Sequence, residues 1–253
     1  MQRIYKKIAE GNLIIDNVLN SAWSQLENRY EGNIYYGLLD AQNRSNIIRL
    51  FLMEQNGKCC YCMQTLTIAQ VTIEHIIPQN ANEIEYLEYL TVPELSGTLI
   101  HKNLFDREHH IIPPQLYPHD FAYNNLIASC NSKIHCNNKR GKTFIQPFLY
   151  YDNLERICSY EPFGSCYFDG SLIDIDPLNL NNDFLKMVRK LWFLIARREA
   201  TIAHITTAGE LQLVVDEIIS NEEDKFIETF TGPSSRVPDL IKYSWFFDYF
   251  KSR

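Results

Sequence analysis

No apolar run in this chain of 253 residues reaches the ~18 residues that a membrane-spanning helix needs. The longest candidate, around Leu191–Ala196, is flanked and broken by Arg and Lys. Internal repeats and low-complexity stretches are missing, and so is any Gly-rich phosphate loop, which leaves no basis for intrinsic ATP hydrolysis. Positive charge is not in excess: 24 basic against 31 acidic side chains give a net charge of −7. Such a chain does not coat itself in nucleic acid, so any nucleic-acid contact must be local or shared with a partner. Met1 to Lys7 carries charge before any apolar stretch and has no small-residue cleavage site, so no signal peptide is expected. The expectation is a cytoplasmic protein without membrane contact, whose cysteines stay reduced. Their odd number, seven, also argues against a closed disulfide framework.

What is present is ordinary for a globular chain: 45% hydrophobic and 22% charged residues. Residues 1–57 read as a helical segment. Leu13, Ile14, Val18, Leu19 and Trp23 recur at helical spacing, as do Ile47, Ile48, Leu50, Phe51 and Leu52 after a polar cap at Asn43–Ser45, with Gly57 as the stop. Residues 58–150 change character, and Val71-Thr72-Ile73 reads as a strand that Pro78 ends. Within this region, 81–120 reads as a long insertion with one short helix near Ile84–Leu90. Residues 151–253 read as a hairpin, with Tyr167-Phe168 and Leu172-Ile173 around Asp169-Gly170, followed by helices. The aromatic run Tyr243 to Phe250 is expected to dock a partner. The fold class is α+β, mostly α.

Four cysteines form two short-spaced pairs, Cys59-x2-Cys62 and Cys130-x5-Cys136. Zinc takes four soft ligands in a tetrahedron, and two knuckles far apart in sequence are the usual way to supply them. Cys60 lies inside the first knuckle and His135 inside the second, and either is an alternative ligand. Four protein ligands leave no open position, so such a zinc is structural. Cys158 and Cys166 read as ordinary thiols.

Between the knuckles, Glu74-His75 closes the strand, Asn125 precedes Cys130 by five residues, and Asn137 follows Cys136 directly. In this order, Cys-x2-Cys, Glu-His, Asn, Cys, Cys-Asn, residues 58–142 resemble the HNH endonucleases. The whole chain resembles a narrower group, the PtuB-like HNH nuclease subunits of Septu-type and retron-associated anti-phage defence systems. The resemblance implies a ββα-metal (HNH) core with a structural zinc site, flanked by N-terminal and C-terminal helices. It implies His75 as general base, Glu74 and Asn137 as ligands of a catalytic Mg²⁺ or Mn²⁺, and Asn125 as the residue that holds the loop or the His75 ring. Asn138 is the alternative to Asn137. It further implies DNA, or alternatively RNA, as substrate and a PtuA-like ATPase subunit as partner. A second Glu-His copy, Glu108-His109-His110, competes with the first, and strand context favours Glu74-His75.

Lys133, Lys139, Arg140 and Lys142 form a local basic patch beside Asn137 without an intervening acid, suited to phosphate contacts. Lys186, Arg189, Lys190, Arg197 and Arg198 form a second basic stripe on a helix. The competing reading is a zinc-stabilised module that binds nucleic acid or protein without cutting. A thiol redox protein would need a βαβ setting around its Cys-x-x-Cys, which is absent.

Overall fold

A computed structural model describes residues 1–24, 30–32, 37–170, 177–198, 205, 207–221 and 237–253. About half of the chain is helical, and its strands form three two-stranded sheets among the described residues. No helix among them is long and apolar enough to cross a membrane.

Helices α1 (Ile8–Trp23) and α2 (Ala41–Glu54) begin the fold. Helix α1 buries Ile15, Val18, Leu19, Ala22 and Trp23 on one stripe. Asp40 caps α2 by accepting the Asn43 N–H at 2.7 Å, one of the donors a helix start leaves open. The buried face of α2, Ile47, Ile48 and Phe51, turns towards the central sheet.

That sheet pairs β1 (Val71–His75) with β4 (Leu126–Cys130), antiparallel, with Val71 opposite Cys130 and His75 opposite Leu126. Around the first cysteine knuckle Lys58 and Thr65 form a single antiparallel bridge, and the partner of β1 comes from beyond the insertion. The insertion is also more ordered than its polar composition suggests. It forms α3 (Glu83–Glu88), α4 (Pro93–Ser96), α5 (Arg107–Ile111) and a parallel pair, β2 (Leu99–Ile100) with β3 (Tyr117–Pro118). After β4 comes the short helix α6 (Asn137–Arg140).

The C-terminal part holds α7 (Leu154–Ile157), β5 (Cys158–Tyr160), β6 (Cys166–Phe168), α8 (Asp183–Arg197), α9 (Ala208–Asn221), α10 (Val237–Leu240) and α11 (Trp245–Lys251). Tyr167-Phe168 pairs with Cys158-Ser159, earlier in the chain than expected, while Leu172-Ile173 lies outside the described residues. The aromatic C-terminal run closes the protein's own core. Tyr160 packs edge-on against Trp245, Phe246 and Tyr249, and the Trp192 indole N–H donates to the Leu240 carbonyl at 3.1 Å. Docking by the whole run is therefore corrected: Tyr243 and Phe246 are already buried.

One buried ion pair ties the N-terminal segment to the sheet. The Lys6 ammonium lies 2.8 Å from Glu54 Oε2 and donates to the Leu126 carbonyl, also at 2.8 Å. It sits over the rings of Phe51 and Tyr123, 4.2 and 3.9 Å from their centroids. Tyr123 donates its hydroxyl to Glu54 Oε1. A Cβ at Gly11 would stand 2.1 Å from the Tyr123 ring, so only glycine lets α1 approach here. Lys6→Met leaves the Glu54 carboxylate buried without its counter-charge. The expected loss in unfolding free energy is about 3–5 kcal/mol, read by urea denaturation.

Candidate metal centre and the His75 site

The two cysteine pairs meet. The Sγ atoms of Cys59, Cys62, Cys130 and Cys136 all lie within 4.8 Å of one another, and all four residues are buried. Cys59 to Cys136 and Cys62 to Cys130 are each 3.8 Å. Metal–sulfur bonds of about 2.3 Å in a tetrahedron give edges of about 3.8 Å. The cluster can hold a metal ion, and its dimensions are compatible with structural zinc. Cys60 stays outside it, with its N–H on the Ala128 carbonyl at 3.2 Å. His135 is an outer neighbour, its Nδ1 3.1 Å from Cys136 Sγ. Burial pushes the Cys62 and Cys136 thiols up. Burial opposes a Cys59 thiolate as well, yet hydrogen bonds from Cys130 and Cys136 hold Cys59 well below the usual thiol range. The Cys130 N–H also donates to Cys59 Sγ at 3.3 Å. Cys136 has φ 63°, a left-handed backbone uncommon for a residue with a side chain.

The cluster fastens the Val71–Cys130 end of the β1–β4 unit. Cys130 ends β4, and Cys136 leads into α6. Gln55 braces the other side, donating to the Lys58 and Ala128 carbonyls and accepting the Ala128 N–H, each at 2.8 Å. Nothing in the sequence around Gln55 marks this role; only the folding of α2 onto β4 creates it.

Glu74 and His75 are neighbours on a strand, so their side chains leave on opposite faces. Glu74 is 2% exposed. Its Oε1 accepts the Tyr61 hydroxyl at 2.9 Å and the Arg140 guanidinium. Burial raises the Glu74 carboxyl, and Arg140 draws it partly back. The five N–H donors of Arg140 are all engaged: by Glu74 Oε1 and the carbonyls of His75, Ile76 and Thr143, and by the Tyr89 hydroxyl. Arg140 therefore leaves the expected phosphate-binding set and becomes the clamp between α6 and the end of β1. A divalent ion on Glu74 would stand beside this guanidinium charge. Asn137 turns its amide towards the Ile73 carbonyl at 3.5 Å. As arranged, Glu74 and Asn137 do not fit as ligands of a catalytic Mg²⁺ or Mn²⁺. Asn138 donates to the Ser132 carbonyl at 3.0 Å instead.

His75 faces the insertion. Its Nε2 lies 3.0 Å from the Asp120 carbonyl. A carbonyl only accepts, so it is the Nε2–H tautomer that makes this bond, with the lone pair then on Nδ1. The Gln79 amide is 3.1 Å from the same Nε2, and a half-turn of that amide presents its oxygen to the N–H. Burial pushes the His75 pKa down to about 4, assisted by the Arg140 and Lys102 charges, so the ring is neutral at pH 7. Lys102 bridges the loops on either side, donating to the Gln79 carbonyl at 2.6 Å and lying 3.9 Å from Asp120 Oδ2. Tyr30 holds Asp120 Oδ1 at 2.6 Å. None of Gln79, Lys102 and Asp120 stands near His75 in sequence order with a motif to reveal it.

Asn125 is fully buried and locks the loop after β1. Its Oδ1 accepts the Ile77 N–H at 2.7 Å, and its amide donates to the carbonyls of Ile77 (3.0 Å) and His119 (2.5 Å). The second Glu-His copy lies on α5. There His109 bonds Asp106 at 2.8 Å, and His110 is buried against Trp23 and Tyr117. Lys133, Lys139 and Lys142 are exposed around α6. Of the second basic stripe, Arg189 is buried on the Leu180 carbonyl, and Arg198 pairs with Glu217 at 2.9 Å.

Comparison with known protein families, with curated protein sequences and with solved structures gives no match.

Two measurements check this geometry. One zinc per chain is expected by elemental analysis of the purified protein. Cys130→Ser should lose it, and Cys60→Ser should keep it. The second concerns pH. His75 has a folded pKa of about 4, below the unfolded value of about 6.5. Its neutral form contributes stability that is complete above the unfolded value and is lost as pH falls through the folded one. Urea unfolding should show stability declining from pH 6.5 to 4, with a shallower decline in His75→Ala.

Proposed function

We propose that this chain is an endonuclease of the HNH type that hydrolyses phosphodiester bonds of nucleic acid, with DNA as substrate. The observation that carries the reading is His75: a neutral imidazole at a strand end, its Nε2 3.0 Å from the Asp120 carbonyl. Support comes from the order of elements, an antiparallel pair followed by a short helix and bracketed by two cysteine knuckles. The hydrogen bonds of Asn125 to Ile77 and His119 support a positioning role for it in this reading.

In this reading His75 accepts the proton of the attacking water. Lys133, Lys139 and Lys142 contact phosphates flanking the scissile bond. Zinc on the four cysteines holds β4 and α6 in register. The resemblance implies a Mg²⁺ or Mn²⁺ requirement, and since Glu74 is paired with Arg140, no step is assigned to such an ion. The same resemblance places the chain in anti-phage defence beside an ATPase subunit, and the net charge of −7 suits a nuclease that shares its nucleic-acid grip with a partner.

One observation favours the second reading, a zinc-stabilised binding module: the Glu74 carboxylate is buried in an ion pair. The two are separated by incubating the chain, alone and with its ATPase partner, with plasmid, single-stranded DNA and RNA in Mg²⁺, Mn²⁺ or chelator. His75→Ala is expected to slow cleavage by about 10²–10⁴-fold, while His110→Ala cleaves normally. Binding without cleavage in every lane, with zinc retained, decides for the module.

A further inference from the structure

A second site lies away from the β1–β4–α6 unit. Between β5, the C-terminal end of α8 and α11 opens a cavity of about 510 Å³, within the size range of small-molecule sites. Its apolar wall is aromatic: Phe193, Tyr249 and Phe250, with the Phe193 and Phe250 rings 5.4 Å apart and edge-on. Its rim is cationic: Arg197, Lys251 and Arg253. The Arg197 guanidinium lies 5.3 Å from the Phe193 centroid, and that of Arg253 lies 4.6 Å from the Tyr249 centroid. Glu161 is the one acid lining the cavity among the described residues, and the Tyr167 hydroxyl engages it.

This composition is against the trend of the chain. A protein of net charge −7 gathers three cations and three partly exposed rings around one hollow. Tyr249 and Phe250 pack against the core with one edge and line the cavity with the rest, and the three cations are exposed. Rings with flat faces beside arginine and lysine suit one ligand chemistry, a planar base carrying phosphate. Stacking on an aromatic side chain is worth about 1–3 kcal/mol per base, and guanidinium matches phosphate in a two-pronged way. An acidic peptide would use the cations and leave the rings idle, and an apolar ligand would do the reverse.

We propose that this cavity binds a nucleoside phosphate, the base against Phe193 and Phe250 and the phosphate at Arg197 and Lys251. The ligand is either a free nucleotide or the 5′-phosphorylated end of a single strand, which share this chemistry.

The test is calorimetric titration of the full chain carrying His75→Ala, which keeps nucleic acid intact, with AMP, adenosine, inorganic phosphate and a short oligothymidylate bearing 5′-phosphate or 5′-hydroxyl. The expected result is saturable binding of AMP, or of the 5′-phosphorylated strand in preference to the 5′-hydroxyl one. Affinity should fall at least tenfold in Arg197→Glu/Lys251→Glu and weaken with added salt. Both substituted residues are exposed, and unchanged zinc content and melting temperature verify the fold. Saturation by AMP identifies a free nucleotide, and saturation only by the strand identifies a terminus. No saturable binding of any probe overturns the proposal, as does binding unaffected by the double substitution or inorganic phosphate binding as tightly as AMP. Because no cleavage is read, failure here is distinct from failure of the nuclease reading.

Discussion

The pairing of Val71–His75 with Leu126–Cys130 governs the rest of the candidate site, because side chains on a strand alternate and a slip of one residue would exchange its faces. In the observed register Cys130 can reach Cys59, Cys62 and Cys136, Glu74 meets Tyr61 and Arg140, and His75 turns to the Asp120 carbonyl. A slip would send His75 towards the buried guanidinium and Glu74 into the insertion. Register is normally set by a short turn. Here about fifty residues separate the strands, so the four-cysteine cluster and Gln55 carry that burden from one side, and Asn125 carries it from the other.

Two buried ion pairs sit on either side of this sheet. Lys6 and Glu54 join the N-terminal segment to α2 and to the Leu126 carbonyl; Arg140 and Glu74 join α6 to β1. Taking such charges out of water is expensive unless every donor finds an acceptor. Arg140 meets that condition fully and gives up any contact with substrate to do so. Its neighbours Lys139 and Lys142 stay in solvent, so a single basic run divides into one structural residue and a set of surface charges.

The helices flanking the core were legible because apolar spacing and caps are local signals. Val18, Leu19 and Trp23 of the expected α1 stripe are buried, whereas α2 is capped by Asp40 and the expected cap, Asn43–Ser45, lies inside the helix. The cysteine cluster was legible too, since knuckle spacing reflects what a tetrahedral ion requires. Other features were hidden. The partner of β1 was hidden because β4 lies about fifty residues further along the chain. Beyond the one helix expected near Ile84–Leu90, the order of the insertion was hidden because it comes from long-range bonds such as Tyr86 to the Leu99 carbonyl and Lys102 to the Gln79 carbonyl, which leave no periodicity. Arg140 read as a phosphate ligand because composition registers charge without registering burial.

By itself the sequence determined the residue types: four thiols at metal spacing, a histidine at a strand end, two asparagines in order, and apolar stripes for the flanking helices. Each of those is a statement about near neighbours. Tertiary structure alone decided which charges are spent internally, which groups surround His75, and that aromatic and basic residues far apart in the chain line one cavity. The physical reason is that burial, hydrogen-bond partnership and cavity shape belong to pairs of residues brought together by folding, and the spacing of residues along the chain carries no record of them.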